Sequence, residues 1–151
     1  LLGKALGGGM PLGAFITDRN MMVALTENPV LGHITTFGGH PVCCAAGKAA
    51  LEGLLEKQLV QHVFEKEQLF RSGLQHSKIK AIRSRGLMMA LEFESEAISK
   101  KAIDACLGRG LFTDWFLFAP HCLRIAPPLT ISNEEIKKAC TILQEVLNNL
   151  N

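Results

Sequence analysis

From Val42 onward, small and apolar residues recur at helical spacing (Ala45, Ala46, Ala49, Ala50, Leu54), and the pattern persists to about Leu74 with a break near Lys57. Residues three and four apart share one face of an α-helix. Pro41 suits a first helical turn, where a missing N–H costs nothing. The rhythm then changes. Residues 79–83 and 86–94 predict two strands joined by a tight turn at Arg83-Ser84-Arg85-Gly86. Residues 95–107 predict a helix with Ser95 as N-cap and Gly108 or Gly110 near its end. Residues 111–118 and 122–125, apolar and aromatic around Pro120, predict two more strands, with Trp115 and its phenylalanine neighbours as core. Ser132-Asn133-Glu134-Glu135 opens a final helix, its acids placed where they complement the helix dipole.

The first 40 residues read differently. Residues 3–13 hold five of the 14 glycines and one proline, which marks a loop with special backbone demands. Residues 12–17 predict a short buried strand, and Asp18 predicts the cap of a brief helix through Leu25. Residues 26–39 form a long polar connection with no element of its own, a kind of loop that is often functional. Three blocks result: 1–40, loop-rich and without a core of its own; 41–74, connecting helices; and 75–151, a small α+β domain. In isolation the first block is expected to expose Leu12, Phe15 and Ile16. Leu1 and Leu2 run straight into the glycine loop, leaving less than the roughly 5 residues of a useful strand. The sequence is therefore expected to be a fragment.

Composition narrows the class. With 151 residues, 48% hydrophobic and 20% charged, the chain can bury a core and is neither disordered nor a disulfide scaffold. Sixteen lysines and arginines against 14 acids give no electrostatic argument for nucleic acid or a membrane surface. No apolar run approaches the roughly 20 residues of a membrane helix. Five cysteines, with Cys43 and Cys44 adjacent and no CxxC pair, fit a reducing cytoplasm. The histidines and cysteines show no metal spacing, so no metal site is expected.

Three places carry candidate chemistry. Lys4 lies among Leu1, Leu2, Ala5 and Leu6, with a triple glycine after it. A lysine against apolar walls is a candidate nucleophile for a carbonyl, whereas a solvated surface charge is the plainer reading. The glycines spell neither GxxxxGK[ST] nor GxGxxG. Thr35-Thr36-Phe37-Gly38-Gly39 precedes a helix start, which offers either simple capping or an anion site on free amides. Arg124, in an apolar stretch, needs a planar carboxylate partner, supplied either by the protein or by a substrate.

In order, LGKALGGGMPLGAFI, TTFGGHPVCCAAGKAALE, RGLMMALEF and LRIAPPLTISNEEI resemble the C-terminal part of class III aminotransferases of the ornithine, acetylornithine and 4-aminobutyrate type. The resemblance spans essentially the whole chain. It implies an α/β, fold type I, pyridoxal 5'-phosphate-dependent transferase whose C-terminal small domain is α+β. Lys4 would form the Schiff base with the cofactor and move the substrate Cα proton. Thr36 would contact the cofactor phosphate of the neighbouring subunit, making a homodimer. Arg124 would pair with a substrate carboxylate or a glutamate of the large domain. The reaction implied takes an amino group from a small amino donor to a 2-oxo acid. His40 departs from the family's asparagine at this place, and the loop is expected to survive the change. The aspartate on the pyridine nitrogen, the ring-stacking aromatic and the main phosphate loop would lie upstream of Leu1, so these residues alone are expected to be inactive. A non-catalytic dimerisation module and one half of a split enzyme are the alternative readings. The stretch Asp114-Trp115-Phe116-Leu117-Phe118 has no chemical account in the sequence.

Overall fold

A computed structural model describes residues 1–150, and the chain divides into two compact units, Leu1–Gln58 and a second beginning at Leu59. The first unit contains helices α1 (Arg19–Val23) and α2 (Pro41–Glu56). The Asp18 carboxylate caps α1, accepting from the Asn20 and Met21 amides at 2.9 and 3.1 Å. Pro41 is the first residue of α2, as its position in the sequence predicts. Among the described residues of this unit, only Gly7 and Gly47 are buried. They mark where the glycine loop lies on α2. A Cβ at Gly47 would come within 2.6 Å of Leu12 Cδ2 and 2.8 Å of the Leu6 carbonyl, so no larger residue fits without displacement.

The buried strand expected at residues 12–17 does not form. Ala14 makes only an isolated antiparallel bridge to Leu2, with N–O distances of 2.7 and 2.9 Å. Leu12 is half-buried against α2, while Phe15 and Ile16 are exposed, Ile16 by 78%. A strand needs a ladder on at least one edge and a covered face, and the first unit supplies these residues with a single bridge and cover at Leu12 alone.

The second unit is an antiparallel sheet with three helices. Its elements are α3 (Val63–Gly73), β1 (Ala81–Arg85), β2 (Met88–Glu92), α4 (Glu96–Gly108), β3 (Asp114–Phe116), β4 (Ala119–Ile125) and α5 (Asn133–Asn149). The strand order is β1-β2-β4-β3, all neighbours antiparallel. Side chains alternate across a strand, and the register exploits it. Met89 pairs with Ile125 and Leu91 with Leu123, and all four enter one core with Phe70, Leu74, Cys106, Ile136, Leu143 and Leu147. Ala90, paired with Arg124, takes the opposite face.

The predicted helix starts hold. Ser95 accepts from the Ile98 amide at α4, and Ser132 with Glu135 forms a reciprocal capping box at α5. At the far end of α5, the Lys78 ammonium donates to the Leu147 and Leu150 carbonyls at 2.9 and 2.6 Å. The aromatic stretch departs from expectation. Trp115 is 55% and Phe118 95% exposed, because β3 is a three-residue edge strand whose register slips between Trp115 and Phe116. Edge position and hairpin tip remove the covering layer that a core aromatic needs.

Candidate functional site

Lys4 opens a single 3-10 turn, Lys4–Gly7, in the glycine loop. Its φ is +51°, a left-handed conformation that costs a non-glycine residue free energy and recurs where function holds the backbone. The side chain is exposed, and its ammonium has no hydrogen bond or ion pair among the described residues. The apolar enclosure anticipated from Leu1, Leu2, Ala5 and Leu6 is not formed: the first three are exposed as well, and only Leu6 is half-buried. Space beside it is open: a Cβ at Gly3 or Gly9 would meet nothing within 4 Å. Gly8, at φ +58°, instead presses on α2, where a Cβ would lie 2.6 Å from the Ala46 carbonyl.

Thr36, in the same unit, is exposed, and its hydroxyl makes no hydrogen bond among the described residues. The α2 N-terminus receives no side-chain cap; the His40 ring leaves its amides open, and neither Thr35 nor Thr36 closes them. Of the two sequence readings, simple capping is therefore not what the loop does.

Arg124 belongs to the second unit. It lies directly across the β3–β4 ladder from Asp114 and forms an ion pair with it through Nη2 and Oδ2. The guanidinium carbon stands 5.8 Å from the centroid of the Phe116 ring, within reach of cation–π attraction. Both charged residues line a cavity of about 340 Å³ whose other walls include Phe70, Leu111, Ile125, Pro127 and Leu143. Cys140 also faces this cavity, and burial pushes its thiol up to about 11, so it stays protonated. The partner that Arg124 requires is thus present within the chain. Sequence reasoning missed Asp114, although a carboxylate one strand earlier across a hairpin was a usable signal.

The structure also groups Glu92, His121 and Cys122, whose ligand atoms lie within 4.8 Å of one another. Sequence spacing did not reveal this cluster. Arg83 occupies it, with Nη1 bonded to Glu92 and Nη2 3.3 Å from the Cys122 sulfur. A guanidinium there holds the positive charge that a cation would bring.

The profile of the family described as Aminotransferase class-III matches residues 1–147. The chain belongs to the class-III aminotransferases. It is 36% identical over 154 residues to the acetylornithine aminotransferase of Caldanaerobacter subterraneus, covering 99% of this chain and 37% of that protein. Identity to the putrescine aminotransferase of Pectobacterium atrosepticum is also 36%, covering 99% of this chain and 33% of that protein. The ornithine aminotransferase structure from Toxoplasma gondii, with partial occupancy of PLP at its active site, superposes with a TM-score of 0.83. It is 31% identical, with 97% of this chain and 35% of that one covered. The chain therefore spans about a third of the length of these relatives.

Class-III aminotransferases are pyridoxal-phosphate enzymes of fold type I. The residues present in this class-III chain fit that cofactor chemically. An unpartnered primary amine matches an aldehyde, and an unpartnered hydroxyl with open helix amides matches a phosphate.

Proposed function

We propose that the protein containing this chain is a transaminase, moving an amino group from an amino acid or ω-amino acid to a 2-oxo acid. The observation that carries this reading is Lys4: a lysine in left-handed backbone, between open glycines, with an exposed and unpartnered amine. Bound pyridoxal phosphate would supply the electron sink that stabilises negative charge at the substrate Cα. Lys4 Nζ would hold the cofactor covalently and, once freed, remove and return the Cα proton as general base and acid. Thr36 would reach the cofactor phosphate of a neighbouring subunit, which makes the working unit a homodimer. Arg124 would orient the substrate by pairing with its carboxylate.

In this reading residues 1–40 belong to the cofactor-binding domain, 41–74 connect, and 75–151 form the small domain, with α3 lending Phe70 and Leu74 to its core. In this reading residues 1–151 by themselves are inactive, as the resemblance to the family implies. A cytoplasmic setting accords with five cysteines that are all free thiols.

Borohydride reduction of the native protein, followed by peptide mass spectrometry, tests the reading. A pyridoxyl group is expected on Lys4 and is expected to be lost in Lys4→Ala. A native protein that carries the cofactor on another lysine, or on none, refutes it.

A further inference from the structure

The Arg124 guanidinium carries five N–H donors, and among the described residues its one side-chain hydrogen bond is from Nη2 to Asp114 Oδ2. The rest of the fork is uncommitted. On the other side of β4 the paired residue is Ala90, whose methyl offers no acceptor. The Phe116 ring lies near the guanidinium carbon. The arginine is thus held by a carboxylate and an aromatic face, with donors still open. Anything that brings a carboxylate to the Arg124 guanidinium also brings it towards Asp114, its ion-pair partner.

We propose that Asp114 is a specificity-determining residue: as the built-in counter-ion of Arg124, it weakens that arginine's hold on a ligand carboxylate and penalises ligands of higher negative charge. This rests on the reading that Arg124 meets the substrate carboxylate. The geometry gives Asp114 two opposing effects. Its hydrogen bond fixes the fork, which favours planar recognition, and its charge repels the incoming acid. Asp114 Oδ1 also accepts from the Trp115 amide at 2.8 Å, so asparagine removes the charge but keeps only one of the two acceptor oxygens. Serine removes the charge with a different geometry, and the two variants together separate charge from hydrogen bonding. Both side chains are about a third exposed, 37% for Arg124 and 33% for Asp114, so water screens the pair and the effect is moderate. The sequence stretch from Asp114 to Phe116 thereby acquires a chemical account: two of its three side chains address one arginine.

The test uses the whole enzyme that contains this chain, with glutarate, a plain dicarboxylate, as competitive inhibitor against the 2-oxo acid. Asp114→Asn is expected to tighten glutarate about fivefold. Asp114→Ser should tighten it in the same direction, and Asp114→Glu, which keeps the charge, should leave it near the parent value. Merely structural damage would weaken binding in all three. Arg124→Gln is the control for the underlying reading and is expected to weaken glutarate strongly. If it does so while the two neutral Asp114 variants bind glutarate no tighter than the parent, the Asp114 proposal is overturned alone. If Arg124→Gln changes nothing, the assignment of Arg124 fails and takes the proposal with it.

Discussion

Gly73, the last residue of α3, lies against Cys140 of α5: a Cβ built there would stand 2.8 Å from the cysteine sulfur and 3.1 Å from its Cβ. The two helices meet where only a hydrogen fits. The sulfur borders a cavity and can turn into it, but the Cys140 Cβ, 3.1 Å away, moves only with α5. Overpacking of this kind costs about 1–3 kcal/mol, and the helix-propensity gain of alanine over glycine offsets at most about 1. Gly73→Ala should therefore lower stability by about 1 kcal/mol, read from urea unfolding. Adding Cys140→Ala should recover part of the loss. An unchanged midpoint in the single variant would contradict the close contact.

Glu67 on α3 ties the helix to the β1–β2 hairpin. Its carboxylate accepts from the Ser84 hydroxyl and from the Gly86 amide at 3.0 Å, with Arg71 alongside. The Ser84 hydrogen bond is the largest cause that lowers its pKa, with burial opposing. A carboxyl group depressed in the folded state contributes stability above its unfolded value, about 4.3, and loses it as pH falls through the folded one. Glu67→Gln should thus lower stability at neutral pH and reduce the loss of stability below about pH 4. Some acid sensitivity should persist through Glu135, which its bonds with Ser132 also lower. Parallel pH curves for variant and parent would remove this role from Glu67.

Helix ends were legible because capping is local. Asp18, Ser95 and Ser132 each satisfy backbone amides two or three residues on, a relation that spacing alone reveals. The strand pairs near residues 79–94 were legible from alternation, though their limits shifted by about two residues. Residues 12–17 and Trp115 were misread for one reason. Apolar composition predicts burial only when a covering layer exists, and neither the first unit nor the β3 edge provides one. Within the candidate site, Lys4 and Thr36 stood out through sequence order, whereas the Arg124–Asp114 pair depends on β3–β4 register. Register across an edge strand with a bulge is set by tertiary packing, so the sequence could demand a carboxylate for Arg124 without saying which.

Stability should divide at Gln58. All of the buried apolar side chains described fall between Phe70 and Leu147, whereas the buried residues of the first unit are two glycines. Burial of apolar area is the dominant favourable term in folding, and a unit that buries no apolar side chain has little to set against its backbone entropy. Residues 59–151 expressed alone should therefore unfold in one cooperative urea transition, with a slope of about 1 kcal/mol per molar. In the 151-residue chain, amides of β2, β4 and α5 should exchange hydrogen slowest, and those of residues 1–40 within seconds to minutes. Phe15, Ile16 and Phe37 of this first block are exposed, as that division requires. If residues 1–40 in a monomer were protected as strongly as β4, the second unit would not be the seat of stability.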